Sequence, residues 1–385
     1  MTQLSPAQLA AANMQFRRAI LPGIGSRTID SIQQIYSQTF TNYVAGQQMV
    51  LNVVPQNFGL LKRFYIRVTA TLVQGAAETQ TRVSDGPANF FSNITYLDTS
   101  NQPRCNAPGW YVHLIASARR KWISGSALTT DTPTGLGSIF PVIKAPTSFT
   151  TSDSTFAMFY EVPIAYNDFD LRGAVNASVY NATQSLQLTV NPNFFVAAGA
   201  DAGYAAYQSS TAQLGKITSF TVTVYQNCID QIGGLQLPFD DLSWQYCLAT
   251  TNGGNPVVNA DQIIPYANFR QFYSTLFRYD NAGVLNAGTD IARISIRTAN
   301  GTNIMYIDPI LCAYLTRAEI GDDMPAGTYY LSHRNKPVMT DTFGNMSLVV
   351  NASAVTGITS ILTVGYEYFQ QMSLNGASQP LTSAT

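Results

Sequence analysis

The sequence predicts a mainly β protein made of two similar β-domains of sandwich or barrel type, preceded by one amphipathic helix. Three observations carry this. Most of the chain reads as short period-two segments rich in β-branched and aromatic residues, separated by Gly/Pro turns. That text restarts near residue 236. The 385 residues are 46% apolar but only 11% charged, against about 25% charged in ordinary soluble proteins. A chain like this can fill a core, yet its surface must be polar and nearly neutral.

The helix comes first. Ser5-Pro6-Ala7-Gln8 has Ser at N-cap, Pro at N1 and Gln at N3, a capping box, with Leu4 and Leu9 at the hydrophobic-staple positions. Leu9, Ala12, Phe16 and Ile20 then repeat at three-to-four spacing as one apolar stripe. Arg17 and Arg18 sit in the last turn, where the helix dipole favours cations, and Pro22-Gly23 stops the helix.

Period two takes over after about residue 35. Strands are expected at Arg63–Val73, Asn93–Leu97, Thr155–Tyr166, Leu186–Val190 and Ile217–Tyr225, with turns at Asp85-Gly86-Pro87, Asn106–Gly109 and Asp131–Pro133. A helix from Trp110 to Trp122 interrupts them, with Trp110, Leu114 and Ala118 on one side. In the second half the expected strands are Phe272–Tyr279, Gly327–Ser332, Met346–Val350 and Ile358–Tyr368, and the expected helix is Thr289–Ala299. The halves echo each other. Thr218–Gln226 resembles Thr359–Gln370. Tyr96-Leu-Asp98 leads to Asn106-Ala107 and a helix, as Tyr279-Asp280 leads to Asn286-Ala287 and a helix. The shared order suggests a duplicated domain.

The balance of charges points to protein contacts. There are 16 Arg to 5 Lys and 18 Asp to 4 Glu. Arg, Tyr, Phe and Met are enriched in interfaces, where Lys and Glu are depleted. A net charge of −1 and a pI near 6.1 give no general attraction to phosphate, which argues against direct nucleic-acid binding. No run of about 18 apolar residues predicts a membrane-spanning helix. Because Arg17 and Arg18 follow the apolar stretch, the N-terminus does not read as a secretory signal, and folding in the cytosol is expected.

Catalytic patterns are missing. The only histidines are His113 and His333, and Gly-x-Ser-x-Gly, His-Glu-x-x-His and the P-loop are absent. Cys105, Cys228, Cys247 and Cys312 lack metal-ligand spacing and read as buried, reduced thiols. Asp168/Asp170, Asp240/Asp241 and Asp322/Asp323 lie in expected turns, where Asp bends and caps the backbone. Neither a cofactor nor a metal is expected. Arg119-Arg-Lys121 reads as dipole complementation or an interface contact.

One family gathers these features. Gly86–Asn89, Pro108–Trp110, Val162–Tyr166, Asp170–Val175, Val224–Gln226, Tyr266–Asn268, Asn286–Ile291, Arg297–Asn300, Lys336-Pro337 and Gly365–Phe369 run in order along nearly the whole chain. Together they resemble the major capsid protein of tectiviruses, tailless bacterial viruses with an internal membrane. The match is poor over the first 35 residues, over 197–214 and over 239–258.

The resemblance implies a double jelly roll, two eight-stranded jelly rolls in one chain. It implies a homotrimer that tiles an icosahedral shell, bordered by neighbouring trimers and by minor capsid and vertex proteins, in a virion made in the bacterial cytoplasm. It also implies an N-terminal helix near the viral membrane. On that helix Leu9, Phe16, Arg17 and Arg18 are the candidate membrane-facing residues, each arginine adding about 1 kcal/mol against anionic headgroups. The expected divisions are 1–35 (helix and arm), 36–235 (first roll), 236–372 (second roll) and 373–385 (tail). A two-domain β-sandwich lectin or viral receptor-binding protein shares the β-text and neutral surface; it predicts a concave site with clustered aromatics and acids. A β-rich glycosidase is disfavoured by the four Glu.

Overall fold

The computed structural model describes residues 28–371 except for 42, 44–45, 74–77, 84–85, 121–144, 147, 151–153, 169–170, 178–182, 201, 232–243, 286–288, 322, 336, 341–344 and 356–359. The segment expected to form the N-terminal helix, with Leu9, Phe16, Arg17 and Arg18, and the expected C-terminal tail lie outside the described residues.

The first roll holds β1 (Thr28–Phe40), β2 (Met49–Val53), β3 (Leu60–Val73), β4 (Phe91–Leu97), β5 (Pro103–Ala107), β6 (Ser154–Pro163), β7 (Ser185–Val190) and β8 (Lys216–Gln231). The second holds β9 (Trp244–Gly254), β10 (Asp261–Pro265), β11 (Gln271–Asp280), β12 (Ile291–Thr298), β13 (Asn303–Ile307), β14 (Thr328–Ser332), β15 (Met346–Ala352) and β16 (Ile361–Gln371). Helix α1 (Gly109–Arg120) follows β5, and α2 (Pro309–Ile320) follows β13.

Two sheets make each roll. In the first, β1-β8-β3-β6 packs against β2-β7-β4-β5; in the second, β9-β16-β11-β14 packs against β10-β15-β12-β13. Adding eight to each strand number of one roll gives the order in the other, so the duplication expected from the text is present in the topology. The strand period sets the core. On β3, Phe64, Ile66, Val68, Ala70 and Leu72 point inward, and on β8 Phe220, Val222 and Val224 meet them. Leu362, Val364, Tyr366 and Tyr368 of β16 do the same in the second roll. A parallel pairing of Leu248 with Cys105 and Ala249 with Asn106 joins β9 to β5, so one sheet runs through both rolls.

Two expectations need correcting. The helix expected over Thr289–Ala299 is a strand, β12. A β-bulge between Ile291 and Arg293 puts Ile291 and Ile294, three residues apart, on the same buried face, which imitates helical spacing. The helix of this half lies after β13, where Asp308 caps it by accepting from the Leu311 amide at 2.7 Å and Pro309 occupies the first turn. The second correction concerns residues 28–35, read as part of the arm. They begin β1, a polar strand whose alternation is broken by a bulge between Gln34 and Tyr36. The helix expected from Trp110 is present as α1; Trp122 lies outside the described residues.

Candidate assembly surfaces

The seam between the rolls holds the densest polar chemistry. Helix α1 is buried almost all round: Trp110, Tyr111, Val112, His113, Leu114, Ile115 and Ser117 all lie inside. A helix of that kind needs cover on both sides. One side packs on its own roll; the other meets the outward face of β9-β16-β11-β14. The Arg278 guanidinium lies 4.1 Å from the centre of the Trp110 ring. Tyr111 lies against Gly365, where a Cβ would overlap its ring. Tyr246, Leu248, Leu276 and Phe369 of the second roll belong to the first roll's core cluster.

Glu367 sits in this seam with no exposure. It accepts from Ser274 Oγ at 2.6 Å and from Tyr246 OH at 2.9 Å, with Arg119 Nε at 3.6 Å and Arg334 at 3.5 Å. Burial pushes its carboxyl pKa upward, but Arg334, Arg119 and the two hydroxyl donors outweigh that and hold it below the usual carboxylate value. Arg119 also stacks on Tyr166 and Tyr246, at 5.2 and 5.0 Å. So one member of the basic cluster at the end of α1 is an interface contact within the chain. Sequence reasoning missed Glu367, Arg278 and Arg334. The available signal was a Glu set among apolar residues in Val364–Phe369 of a chain with four Glu.

Beside the seam lies a cleft of about 220 Å³ lined by Arg63, Arg119, Glu161, Asp168 and Arg334 among others. Its charges are paired with one another: Arg63 binds Glu161 at 2.9 Å and also Asp168, and neighbouring Lys62 binds Asp30 at 2.8 Å. Burial raises the Glu161 carboxyl despite Arg63.

The candidate catalytic groups are dispersed. His113 and His333 are buried, and burial pushes both down to about 4, which keeps them neutral. The Thr275 hydroxyl is 3.3 Å from His333 Nε2. No disulfide joins the four cysteines, all buried. Asp168 and Asp323 are ion-paired, the latter with Arg317; Asp170, Asp240, Asp241 and Asp322 lie outside the described residues. No group of His, Cys, Asp or Glu suited to a metal occurs among the described residues. Nor is any helix there long and apolar enough to cross a membrane.

A different surface stands out. On α2, Ile310, Leu311, Tyr314 and Leu315 are exposed, Ile310 at 79% and Tyr314 at 68%. Ile304 and Tyr306 on the preceding strand β13 are exposed as well. Pro309, Cys312, Thr316 and Ile320 form the buried side of the helix. Contiguous exposed apolar surface marks an interaction site.

The comparisons agree with this geometry. A family model for the P3 major capsid protein N-terminal region matches residues 2–232, and one for its C-terminal region matches 243–382. The major capsid protein P3 of Enterobacteria phage PRD1 is 36% identical over 383 residues, 95% of each chain. Among solved structures, the STIV MCP aligns with TM-score 0.62 at 11% identity, over 88% of this chain and 96% of that one. The major capsid protein P2 from bacteriophage PM2 aligns with TM-score 0.50 at 10% identity, over 91% and 100%. These two likenesses concern the double jelly-roll fold; the 36% identity and the two family models carry the rest. With its duplicated roll and these matches across almost its full length, the chain belongs to the P3 major capsid protein family and is the major capsid protein of a PRD1-like tectivirus.

Proposed function

We propose that three copies of the chain close into a pseudo-hexagonal tile of the icosahedral shell, each copy supplying two near-equivalent corners. The observation that carries this reading is the repeated strand order, with the two rolls fixed side by side by one continuous sheet. Six rolls from three chains then fill a six-coordinated position. The neutral, Lys- and Glu-poor surface suits many weak contacts between tiles and with minor capsid and vertex proteins, which lets wrong placements be corrected. The role is structural and needs no cofactor and no direct nucleic-acid contact.

The N-terminal helix completes the proposal. Leu9 and Phe16 face the internal membrane, and Arg17 and Arg18 meet anionic headgroups. Two charges per chain anchor little alone, but many copies on one vesicle act through avidity. The test is light scattering behind a sizing column. A monodisperse trimer that survives dilution is expected, and a stable monomer would sink the reading. Deleting residues 1–20 leaves trimers intact but weakens binding to anionic vesicles. Loss of trimers on that deletion would refute the membrane-facing role.

A further inference from the structure

The cleft beside the seam has more donors than its own acids use. Three arginines line it: Arg63 on β3, Arg119 in the last turn of α1, and Arg334 just past β14. Arg63 is taken up by Glu161 and Asp168. Arg119 and Arg334 are not matched in that way. They share one carboxylate, Glu367, at 3.6 and 3.5 Å. Strong hydrogen bonds between charged groups run at about 2.7–2.9 Å, so both contacts are long. Glu367 gives its short contacts to Ser274 and Tyr246 instead, at 2.6 and 2.9 Å.

The spare capacity is greatest at Arg334. Its Nε is buried and meets no acceptor in the protein. A buried N–H group without a partner is rare and needs a reason. Arg119 is held in place by stacking on Tyr166 and Tyr246, at 5.2 and 5.0 Å. A stacked guanidinium keeps its N–H edge for an oxyanion.

The cleft has room and a suitable wall. Its volume of about 220 Å³ equals roughly seven waters at about 30 Å³ each, enough for a phosphate group. Ala116, Pro163 and Ala165 make part of the wall apolar, which strengthens charge interactions within it. Burial pushes the Glu161 carboxyl upward, which lessens the repulsion an anion meets there.

We infer that the cleft binds a phosphate group, with Arg119 and Arg334 donating to its oxygens. Arg119 belongs to the first roll and Arg334 to the second, so the ligand ties the two rolls together. The cleft lies where the chain enters the first roll: Lys62, next to Arg63, binds Asp30 near the start of β1 at 2.8 Å and reaches Asp168 of the cleft wall at 3.4 Å. On the membrane-facing reading above, that end is turned to lipid. The phosphate then comes from an anionic phospholipid headgroup or from solution. Only the lipid source rests on that reading; the site does not.

Isothermal titration calorimetry of the full-length protein tests it, with two probes. One is inorganic phosphate; the other is dihexanoyl phosphatidylglycerol below its micelle concentration. Sodium chloride at matched ionic strength is the control. Phosphate also stabilises proteins by exclusion from their surface, so binding heat is read and not a melting point. Saturable binding of one ligand per chain is expected. Binding of inorganic phosphate alone assigns the soluble source, and binding of the lipid assigns the headgroup. Arg334→Gln is expected to weaken binding about tenfold or more. Asp168→Asn is the second variant. Asp168 is 47% exposed, so the fold is expected to tolerate the change, and binding should tighten severalfold because a negative charge leaves the wall. If Arg334→Gln fails to fold, Asp168→Asn decides alone. Heats no larger than those with chloride, or one affinity across wild type and folded variants, overturn the site. Wild-type protein that ignores anionic vesicles but binds phosphate would refute the role of the N-terminal helix and leave the cleft standing.

Discussion

Asn101 and Gly301 occupy the same place in the two rolls: each is the left-handed residue of the β4–β5 or β12–β13 turn, with φ of 57° and 84°. The backbone bonds match as well. Asp98 N–H donates to Gln102 O and Asn101 N–H to Asp98 O; Thr298 N–H donates to Thr302 O and Gly301 N–H to Thr298 O. Asn and Gly are the residues that tolerate this conformation. Gly301→Asn should therefore leave the thermal midpoint near wild type, whereas Gly301→Val should cost about 1–2 kcal/mol. Calorimetry of the two variants decides it; equal stability would show that the turn carries no strain.

Glu367 should be the most sensitive charge in the molecule. Glu367→Ala leaves Arg119 and Arg334 facing a hole and strips Ser274 and Tyr246 of their acceptor. Removing one partner of a buried pair costs about 3–5 kcal/mol. Urea unfolding should show that loss, with Glu367→Gln milder because it keeps an acceptor oxygen. A change below about 1 kcal/mol for Glu367→Ala would mean that the seam is solvated.

Packing at the same seam gives a steric test. Gly365→Ala places a methyl group into the Tyr111 ring, with Leu276 paired alongside. Overpacking of this kind costs about 1–3 kcal/mol. Gly365→Ala/Tyr111→Leu should recover part of it. Thermal shift assays on the three chains check the pattern.

Acidification should weaken the fold. His113 and His333 are held neutral in the native state down to about pH 4, while in the unfolded chain they take up protons near 6.5. Between those values the unfolded state binds more protons, so stability falls as pH falls. Glu367, held below its usual value, adds a loss in the same direction as pH drops through its folded pKa; Glu161, held above its own, opposes it. Urea midpoints should drop between pH 7 and pH 4.5. His333→Gln, which keeps a hydrogen-bonding group beside Thr275, should reduce that drop. A midpoint independent of pH would contradict the buried, neutral assignment.

The cap of α2 provides a local check. Asp308→Ala removes the acceptor of the Leu311 amide and should cost about 1 kcal/mol. Thermal unfolding of the variant checks it; an unchanged midpoint would show that the cap adds nothing to α2.

How much of this was legible in the residues depends on where the period held. Arg63–Val73 and Ile217–Tyr225 alternate cleanly and were readable as strands. Where a bulge adds a residue the alternation slips, and both β1 and β12 were misread there, at Gln34/Tyr36 and Ile291/Arg293. That second error also misplaced the internal repeat, pairing Tyr96–Asp98 with Tyr279-Asp280 when β4 in fact matches β12. The start signal of α2, Asp308-Pro309, is present in the sequence, but it comes soon after the Thr289–Ala299 segment, whose bulged spacing imitates a helix. The seam was not legible at all. Arg119, Arg278, Arg334 and Glu367 lie far apart in sequence and converge only because β9 joins β5.

The pairing of β1 with β8 sets a timetable for synthesis. Thr28 is opposite Gln231, so the first roll cannot close until more than half of the chain has been made. At about 5–20 residues per second, β1 waits roughly 10–40 s for its partner. Even then the roll lacks Tyr246, Leu276 and Phe369, which complete its core from the far half of the chain. A ribosome carrying this message therefore holds an unpaired strand edge for about half of its transit. Neighbouring ribosomes on one message hold identical edges at high local concentration, so the pace of elongation and the spacing of ribosomes bear directly on how much shell protein reaches its native form.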